Sequence, residues 1–574
     1  MTFVAWAVFL LVTGYTIWDG VRRTIGSKTM EGFFAAGRNI PWWAAGLSVM
    51  ATQLSAITLI GGVGMGYEGG LEWVQFYFAM PFAMVILCIW FVPMYRQHPI
   101  LTAYEYLERR FGPVTRTLTS FTFLISRCLA FAVVLYAPAV VFSTMADIPI
   151  TTMVVLTGLV TTAYTVAGGV GGVVWTDVKQ MLIIVVGIVA CLLLLLWDTM
   201  SQLGVGGVFA ALGASGKLNA VEVTNPAWTL VPAFDAAGEA TSFWSDKYNI
   251  WTGLFGTLFL FLSYFGCDQV QVQSLLSSKS VDSSRRALLM SAFTKVPLQL
   301  LVMLLGGLLF LHHGLGTEPL LFDPEHEAKR EARQELPAPQ QERLAAAEVA
   351  HEQARAQRRA ALLEVAAGDP TATARLQAAT LAASNARKEA RQVVQPAKDR
   401  QKDSNYIFTD YLFREVPKPI LGLMIAAIFA AAISSAAGAL SSLTSATMID
   451  FYRRWLAPAA DDQRAVRTSR FVMAFWGLAA TAFAVSLDDG PLLEKVNEIG
   501  SFFYGSILGV FLLALFVRTA DGRAASVGLV GGLVVTFAVH ATMHIAFLWY
   551  NLVGAFACVG LGVLSSLVAP QRRA

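Results

Sequence analysis

Charge is what this chain has least of. Only 14% of its 574 residues are Asp, Glu, Lys or Arg, while 56% are hydrophobic, a balance too apolar for a water-soluble domain of that length. Cysteine is scarce as well. Cys88, Cys128, Cys191, Cys267 and Cys558 all fall in apolar segments without a paired spacing, which argues against a disulfide framework, a thiolate metal site or a redox motif and leaves buried free thiols. Of the seven histidines, His540 and His544 stand four apart, but with no third ligand nearby they suit interfacial packing better than a metal. The net charge of +3 carries no information, because in a membrane protein the distribution of Lys and Arg decides. Neither an enzyme nor a nucleic-acid partner is expected.

What the chain has in quantity is apolar sequence of membrane-crossing length. Such runs cover about 2–20, 41–66, 72–94, 115–145, 150–167, 176–199, 247–275, 287–313, 417–449, 468–487, 496–517, 524–546 and 548–568, which predicts an all-α polytopic membrane protein of thirteen transmembrane helices. The first run has no basic region before it and no small-residue cleavage site, so it reads as a retained anchor. Basic residues gather on one side of this topology, from Arg22, Arg23, Lys28 and Arg38 through Arg96, Arg285, Arg453 and Arg518 to Arg572 and Arg573. The opposite loops hold Glu68, Glu72, Asp147, Asp488 and Asp489. The asymmetry predicts an N-terminus outside and a C-terminus in the cytoplasm.

Residues 318–404 interrupt the membrane pattern with a charged, Ala-rich stretch on the outer side. Glu342 to Glu364 suits a helix laced by i,i+4 pairs, Gly368-Asp369-Pro370 breaks it, and Thr371 to about Val394 reads as a second helix. With acids and bases nearly balanced and almost no aromatic residue to bury, the expected form is a solvated helical hairpin standing above the membrane. The competing reading is a docking surface for an extracytoplasmic partner.

Two adjacent serines, Ser434 and Ser435, sit among small residues inside an otherwise apolar span. Hydrocarbon cannot solvate hydroxyls, so the pair either bonds back onto its own helix or meets a ligand in a wet cavity, where it becomes a candidate cation site. Its expected counterpart is Ser48 to Thr58, followed by Gly61, Gly62, Gly64 and Gly66, a composition that suits a broken helix of the kind that binds cargo in secondary transporters.

Several motifs in fixed order then carry a family resemblance: Phe33-Phe34-Ala35-Ala36-Gly37-Arg38 before Trp42-Trp43, Thr102 through Phe111, Gly168-Gly169 through Gln180, and Ala431 through Tyr452. In these the chain resembles the sodium:solute symporters, a family of carriers for sugars, proline, sialic acid, vitamins, monocarboxylates and iodide. The resemblance implies a LeuT-like fold of two inverted five-helix repeats, with one helix before and two after. The expected divisions are 1–40, an anchor helix and cytoplasmic loop; 41–199, the first repeat; and 200–246, an outer loop. After them come 247–317 and 405–517, the second repeat split by the 318–404 hairpin, and 518–574, the C-terminal helices and a short cytoplasmic tail.

The resemblance further implies a co-transported Na+ held by the Ala51 and Leu54 carbonyls, the Ala431 carbonyl and the Ser434 and Ser435 hydroxyls, a set of hard oxygen ligands suited to a hard cation. Relatives with a second sodium carry further hydroxyls where this chain has Ala437 and Gly438, so one sodium per cycle is expected. Asp177 is either a station on the cytoplasmic exit path for sodium or a helix cap with Thr176. The substrate positions implied are Gln53, Ser55, Thr58, Tyr77, Phe261, Tyr264, Lys295 and Asn497. Tyr264 and Lys295 match positions of the family's sugar carriers, but Tyr77, Met80 and Phe261 replace polar sugar contacts. Lys295 is either a counter-ion for an organic anion or the partner of Asp268. The position matching the carboxylate-binding arginine of the sialic acid carriers is Ala130, three residues beyond Arg127, which disfavours sialic acid. Tyr136-Ala137-Pro138-Ala139 resembles the multivitamin, monocarboxylate and iodide branch. The expected protein is therefore a multi-pass plasma (inner) membrane symporter importing a small organic anion with sodium by alternating access. A sodium/sugar symporter, a proton-coupled symporter working through Asp177 and a non-transporting nutrient sensor are the alternatives. A chain that stops at Ala574 without a signalling domain counts against the last.

Overall fold

The computed structural model describes the chain except for residues 1–2, 25–28, 30–33, 35–38, 98–99, 147, 222–232, 235–239, 333, 335, 395–402, 460, 487–491 and 569–574. Most of the Phe33 to Arg38 motif and the loop charges Lys28, Asp147, Asp488, Asp489, Arg572 and Arg573 lie outside the described residues. Among the described residues the regular structure is helical apart from a two-residue antiparallel pairing of Ala233–Phe234 with Ala240–Thr241 and an isolated parallel bridge between Ile40 and Ser278.

The first half runs through α1 (Phe3–Thr24), α2 (Trp42–Gln53) and α3 (Ala56–Gly69). It continues with α4 (Glu72–Arg96), a short α5 (Ala103–Phe111), α6 (Pro113–Ala146), α7 (Ile150–Val166) and α8 (Val174–Ala214). The second half opens with α9 (Thr252–Gly266) and α10 (Gln269–Leu276) and continues with α11 (Val281–Leu315). The insertion supplies α12 (Pro324–Glu331), α13 (Ala338–Ala366) and α14 (Ala372–Val394). After α15 (Ser404–Arg414) come α16 (Lys418–Leu456), α17 (Asp462–Val485), α18 (Leu492–Phe516), α19 (Gly522–Thr542) and α20 (Leu548–Val568). Among the described residues nine helices are long and apolar enough to cross a membrane, or eleven if each bent pair counts as one span.

Two features shape the centre. The pairs α2–α3 and α9–α10 are bent by 60° and 53°, so each half of the membrane domain opens on a broken helix. The backbone stays helical from α7 into α8, yet the Tyr164 hydroxyl donates to Thr176 Oγ1 at 3.3 Å. Twelve residues of straight helix span about 18 Å, so the chain bends sharply between them.

The break in the first pair lies at Leu54, ahead of the glycines rather than among them. Gly64 and Gly66 instead allow close packing: a Cβ on Gly64 would stand 2.2 Å from the Ser404 carbonyl oxygen of α15, and one on Gly66 2.4 Å from the Met303 carbonyl oxygen of α11. Small residues let helix backbones approach where no water drives association.

The insertion departs from the expected solvated excursion. It does form two helices separated at Gly368, whose φ is +93°. However, α13 buries Leu344, Ala347, Ala354, Ala361, Leu362 and Val365, and α14 buries Ala372, Leu376 and Ala379. Leu362, Val365 and Leu376 belong to the same apolar core as the membrane helices. Against that face, the buried Glu318 carboxylate accepts from the Tyr67 hydroxyl at the C-terminal end of α3, from Arg358 of α13 and, at 2.5 Å, from Arg387 of α14. Burial opposes the charge, but the two guanidinium groups outweigh it and hold the carboxyl well below the usual range. Asp403 accepts from the Phe322 and Asp323 amides at 2.7 and 2.8 Å, drawing the base of the insertion together.

Candidate functional site

The site grows from the break in the first pair. Leu54 leaves the helix at φ −90° and ψ 69°, and Ser55 enters the next in an extended conformation. The Leu54 amide still reaches the Met50 carbonyl at 2.9 Å. The carbonyls of Ala51, Thr52, Gln53 and Leu54 therefore have no amide of their own helix ahead of them. Thr58 Oγ1 recovers the Gln53 carbonyl at 3.3 Å.

The serine pair of α16 meets this end of α2. Ser435 Oγ donates to the Thr52 carbonyl at 3.2 Å. Ser434 Oγ donates to the Asp177 carboxylate, and Ser48 Oγ donates to its other oxygen at 2.5 Å. Asp177, Ser48 and Ser434 are buried, and these two hydroxyls are the hydrogen-bond partners of Asp177 among the described residues. A buried carboxylate inside the membrane without a basic partner is costly, and a cation would offset that cost. Ala51, Leu54 and Ala431 are fully buried on the two helices that Ser435 and Thr52 join. Ser48 and Thr52 extend the set of oxygen donors beyond the residues expected from sequence. Asp177 touches a proposed sodium ligand directly instead of standing apart from it.

Beside these groups lies a cavity of about 110 Å³. Gln53, Ser55 and Thr58 line it from the broken helix, Tyr77 from α4, Phe261 and Tyr264 from α9, and Asn497 from α18. Ser435 lines it as well, so one hydroxyl belongs both to the cavity wall and to the oxygen cluster. Phe261 stacks on Tyr77 with ring centroids 5.9 Å apart, giving one wall a flat aromatic surface.

Lys295 does not line the cavity. It is fully buried behind Tyr77, its ammonium 5.4 Å from the centre of that ring, and among the described residues no hydrogen-bond partner reaches Nζ. The pairing of Lys295 with Asp268 is overturned, because Asp268 is held by Arg127. Asp268 also caps α10 through the Val270 amide at 2.9 Å and accepts from the Tyr504 hydroxyl at 3.2 Å. The Arg127 guanidinium lies 5.9 Å from the centre of the Tyr264 ring, and both Arg127 and Ala130 line the cavity. Residues three apart on a helix share a face, so a guanidinium one turn away reaches the space that Ala130 leaves open. Its signal in the sequence was a lone arginine in the middle of an apolar run. His540 Nδ1 lies 3.0 Å from the Tyr550 hydroxyl and its ring packs edge-on against Phe502.

Comparison with known proteins fits this geometry. The family model described as the sodium:solute symporter family matches residues 33–340 and 371–532, passing over most of α13. The sodium/sialic acid symporter of Proteus mirabilis is 24% identical over 575 residues, covering 100% of this chain and 96% of that protein. The sodium-dependent multivitamin transporter of Oryctolagus cuniculus is 25% identical over 93% of this chain and 70% of its own length. A solved structure of a substrate-bound, outward-open Na+-coupled sialic acid symporter superposes with a TM-score of 0.74 at 22% identity, covering 99% of this chain and 98% of that one.

Proposed function

Since the chain belongs to the sodium:solute symporter family, and is thus a sodium-coupled transporter rather than an enzyme, we propose that its cargo is a small organic anion imported with one sodium ion by alternating access. The observation that carries this reading is Arg127 on the cavity wall. The remaining lining combines five aromatic side chains with the hydroxyl and amide groups of Thr52, Gln53, Ser55, Thr58, Ser435 and Asn497, and a carboxylate could share the guanidinium with Asp268. Names of similar proteins, for sialic acid and for vitamins, point the same way.

In this account sodium is bound by the Ala51 and Leu54 carbonyls, the Ala431 carbonyl and the Ser434 and Ser435 hydroxyls, with Asp177 as the carboxylate that neutralises it and later receives it on the way in. Substrate is held by Gln53, Ser55, Thr58, Tyr77, Phe261, Tyr264 and Asn497, with Lys295 supporting the Tyr77 wall from behind. Ser435 belongs to both groups and supplies the coupling: a cation joining α16 to the end of α2 stiffens the Leu54–Ser55 break that also shapes the cavity. Ala437 and Gly438 in place of hydroxyls support a single sodium.

The topology proposed is thirteen spans, supported by nine long helices, two bent pairs and two shorter apolar helices, Phe3–Thr16 and Ile150–Val166. Two inverted repeats, 41–199 and 247–517, would each open on a bent pair. The basic side of the chain faces the cytoplasm of an inner-membrane protein with its N-terminus outside, and the hairpin lies outside the cell.

The test is uptake into proteoliposomes of a panel of labelled monocarboxylates, sialic acid and hexoses under an inward sodium gradient, for the natural protein and Arg127→Met. Sodium-driven uptake of an anion that Arg127→Met abolishes supports the reading. Sodium-driven hexose uptake that is indifferent to Arg127 contradicts it. A specific observation, the Asp177 carboxylate with only hydroxyls around it, favours proton coupling as the second reading; uptake driven by an inward proton gradient without sodium would establish it.

A further inference from the structure

Between the hairpin and the membrane core lies a second and larger cavity, of about 590 Å³. No residue lines both cavities. Seven carboxylates and three guanidinium groups face this second space. Two more guanidinium groups, of Arg358 and Arg387, reach Glu318 from outside the lining, which leaves two negative charges in excess.

The ion pairs show where that excess falls. Arg330 is shared between Glu327 and Glu348 at 2.6 Å each. Arg355 holds Glu352 at 3.0 Å and Arg414 holds Asp410 at 2.6 Å. Glu331, at the end of α12, and Glu415, just beyond α15, line the cavity and make no ion pair among the described residues.

A second observation points to a ligand. His351 of α13 lines the cavity and is 4% exposed; its ring lies against the Glu318 backbone, but among the described residues neither ring nitrogen meets a partner at strict hydrogen-bonding geometry. His313, at the end of α11, has an unpartnered Nδ1 at 3% exposure. Burial pushes the His351 imidazole down to about 4, so at neutral pH one ring nitrogen is a bare acceptor. Buried polar groups normally find partners, and one that does not needs a reason.

We propose that this cavity is a second ligand site, built for a small organic diamine. Ammonium groups are pure donors, and they match a lining of carboxylates and neutral imidazoles. Two charges on a flexible alkyl chain balance the excess and reach acidic groups that stand on different helices. An anion would meet repulsion. A bound metal ion fits less well, because among the described residues no three His, Cys, Asp or Glu side chains gather in a ligand shell. An occupant spanning α12, α13 and α15 would tighten the hairpin around Glu318 and hence around Tyr67 at the C-terminal end of α3. The proposal does not depend on the cargo assigned above.

The experiment is calorimetric titration of the full-length protein in detergent with putrescine, butylamine and sodium chloride in turn. Saturable putrescine binding is expected, with butylamine weaker by up to about fivefold, since it forfeits one ion pair. The variant Glu331→Gln/Glu415→Gln changes only exposed side chains and should weaken putrescine by at least the same factor, whereas Tyr264→Ala at the central cavity should leave it unchanged. Absence of saturable putrescine heat, equal affinity for putrescine and butylamine, or full affinity in the double variant would each overturn the proposal. Loss of binding in Tyr264→Ala would overturn it too, by moving the diamine to the central cavity.

Discussion

Arg127 and Asp268 form a buried ion pair that joins the middle of α6 to the break between α9 and α10. The Tyr504 hydroxyl stands 3.2 Å from both partners, so three helices meet on one charge pair at the cavity wall. The pair therefore has two roles open to it, holding the second broken helix in shape and presenting a positive group to cargo.

The two roles separate by substitution. Arg127→Met strands the Asp268 carboxylate and should cost about 3 kcal/mol or more of stability, the usual consequence of breaking a buried pair. Adding Asp268→Asn should recover most of that loss in melting temperature while substrate affinity stays low. Recovery of substrate affinity together with stability would show that Arg127 serves the fold alone.

Ser435→Ala removes the hydroxyl that touches the Thr52 carbonyl and faces the cavity. Loss of one neutral ligand is expected to raise the sodium concentration for half-maximal uptake by roughly fivefold, from a net contribution of about 1 kcal/mol per hydrogen bond or ligand contact. Ser434→Ala should do less, because Asp177 keeps Ser48. Membrane-vesicle uptake at graded sodium measures both.

Gly66→Ala places a methyl group against the Met303 backbone of α11, where a Cβ would lie 2.4 Å from the carbonyl oxygen. The helices must part, and overpacking of this kind costs about 1–3 kcal/mol. A lower melting temperature with unchanged sodium affinity is the expected result. A neutral outcome would mean that α3 and α11 are less closely packed than described.

Asp410 of α15 gives the face beside the insertion a pH dependence. Burial raises its carboxyl to about 6, with Arg414 offsetting only part of the effect. Since the folded value lies above the unfolded one, this group's contribution is fully present below about pH 4 and is lost as pH rises to about 6, by an amount of the order of 2 kcal/mol. The difference in melting temperature between the natural protein and Asp410→Asn should thus grow from pH 4 to pH 6 and level off above it. A constant difference would contradict the burial described.

The long helices were legible in the sequence because hydropathy alone marks a span, and the first broken helix was legible because Thr52 to Ser55 interrupts apolar sequence with side chains that compete for backbone. The second break was not. It rests on one side chain, Asp268, capping Val270 where an apolar run passes into Gln269-Val270-Gln271-Val272-Gln273, and such a cap looks the same in sequence as a stray acid. The inner face of the hairpin escaped for a different reason: it is made largely of alanines, whose small apolar area gives little contrast with the charged face, and its Arg358 is buried and its Arg387 half-buried only because Glu318 meets them. The contact of Ser434 with Asp177, 257 residues apart, has no local signature.

The most direct test of the central claim is sodium binding to the purified protein, followed as thermal stabilisation across a sodium titration with choline replacing sodium at constant ionic strength. Saturable stabilisation by sodium is expected, with a midpoint that moves upward in Ser435→Ala and further in Ser434→Ala/Ser435→Ala while both variants remain folded. Absence of any sodium response, or the same midpoint in all three proteins, would contradict a sodium site between α16 and the end of α2.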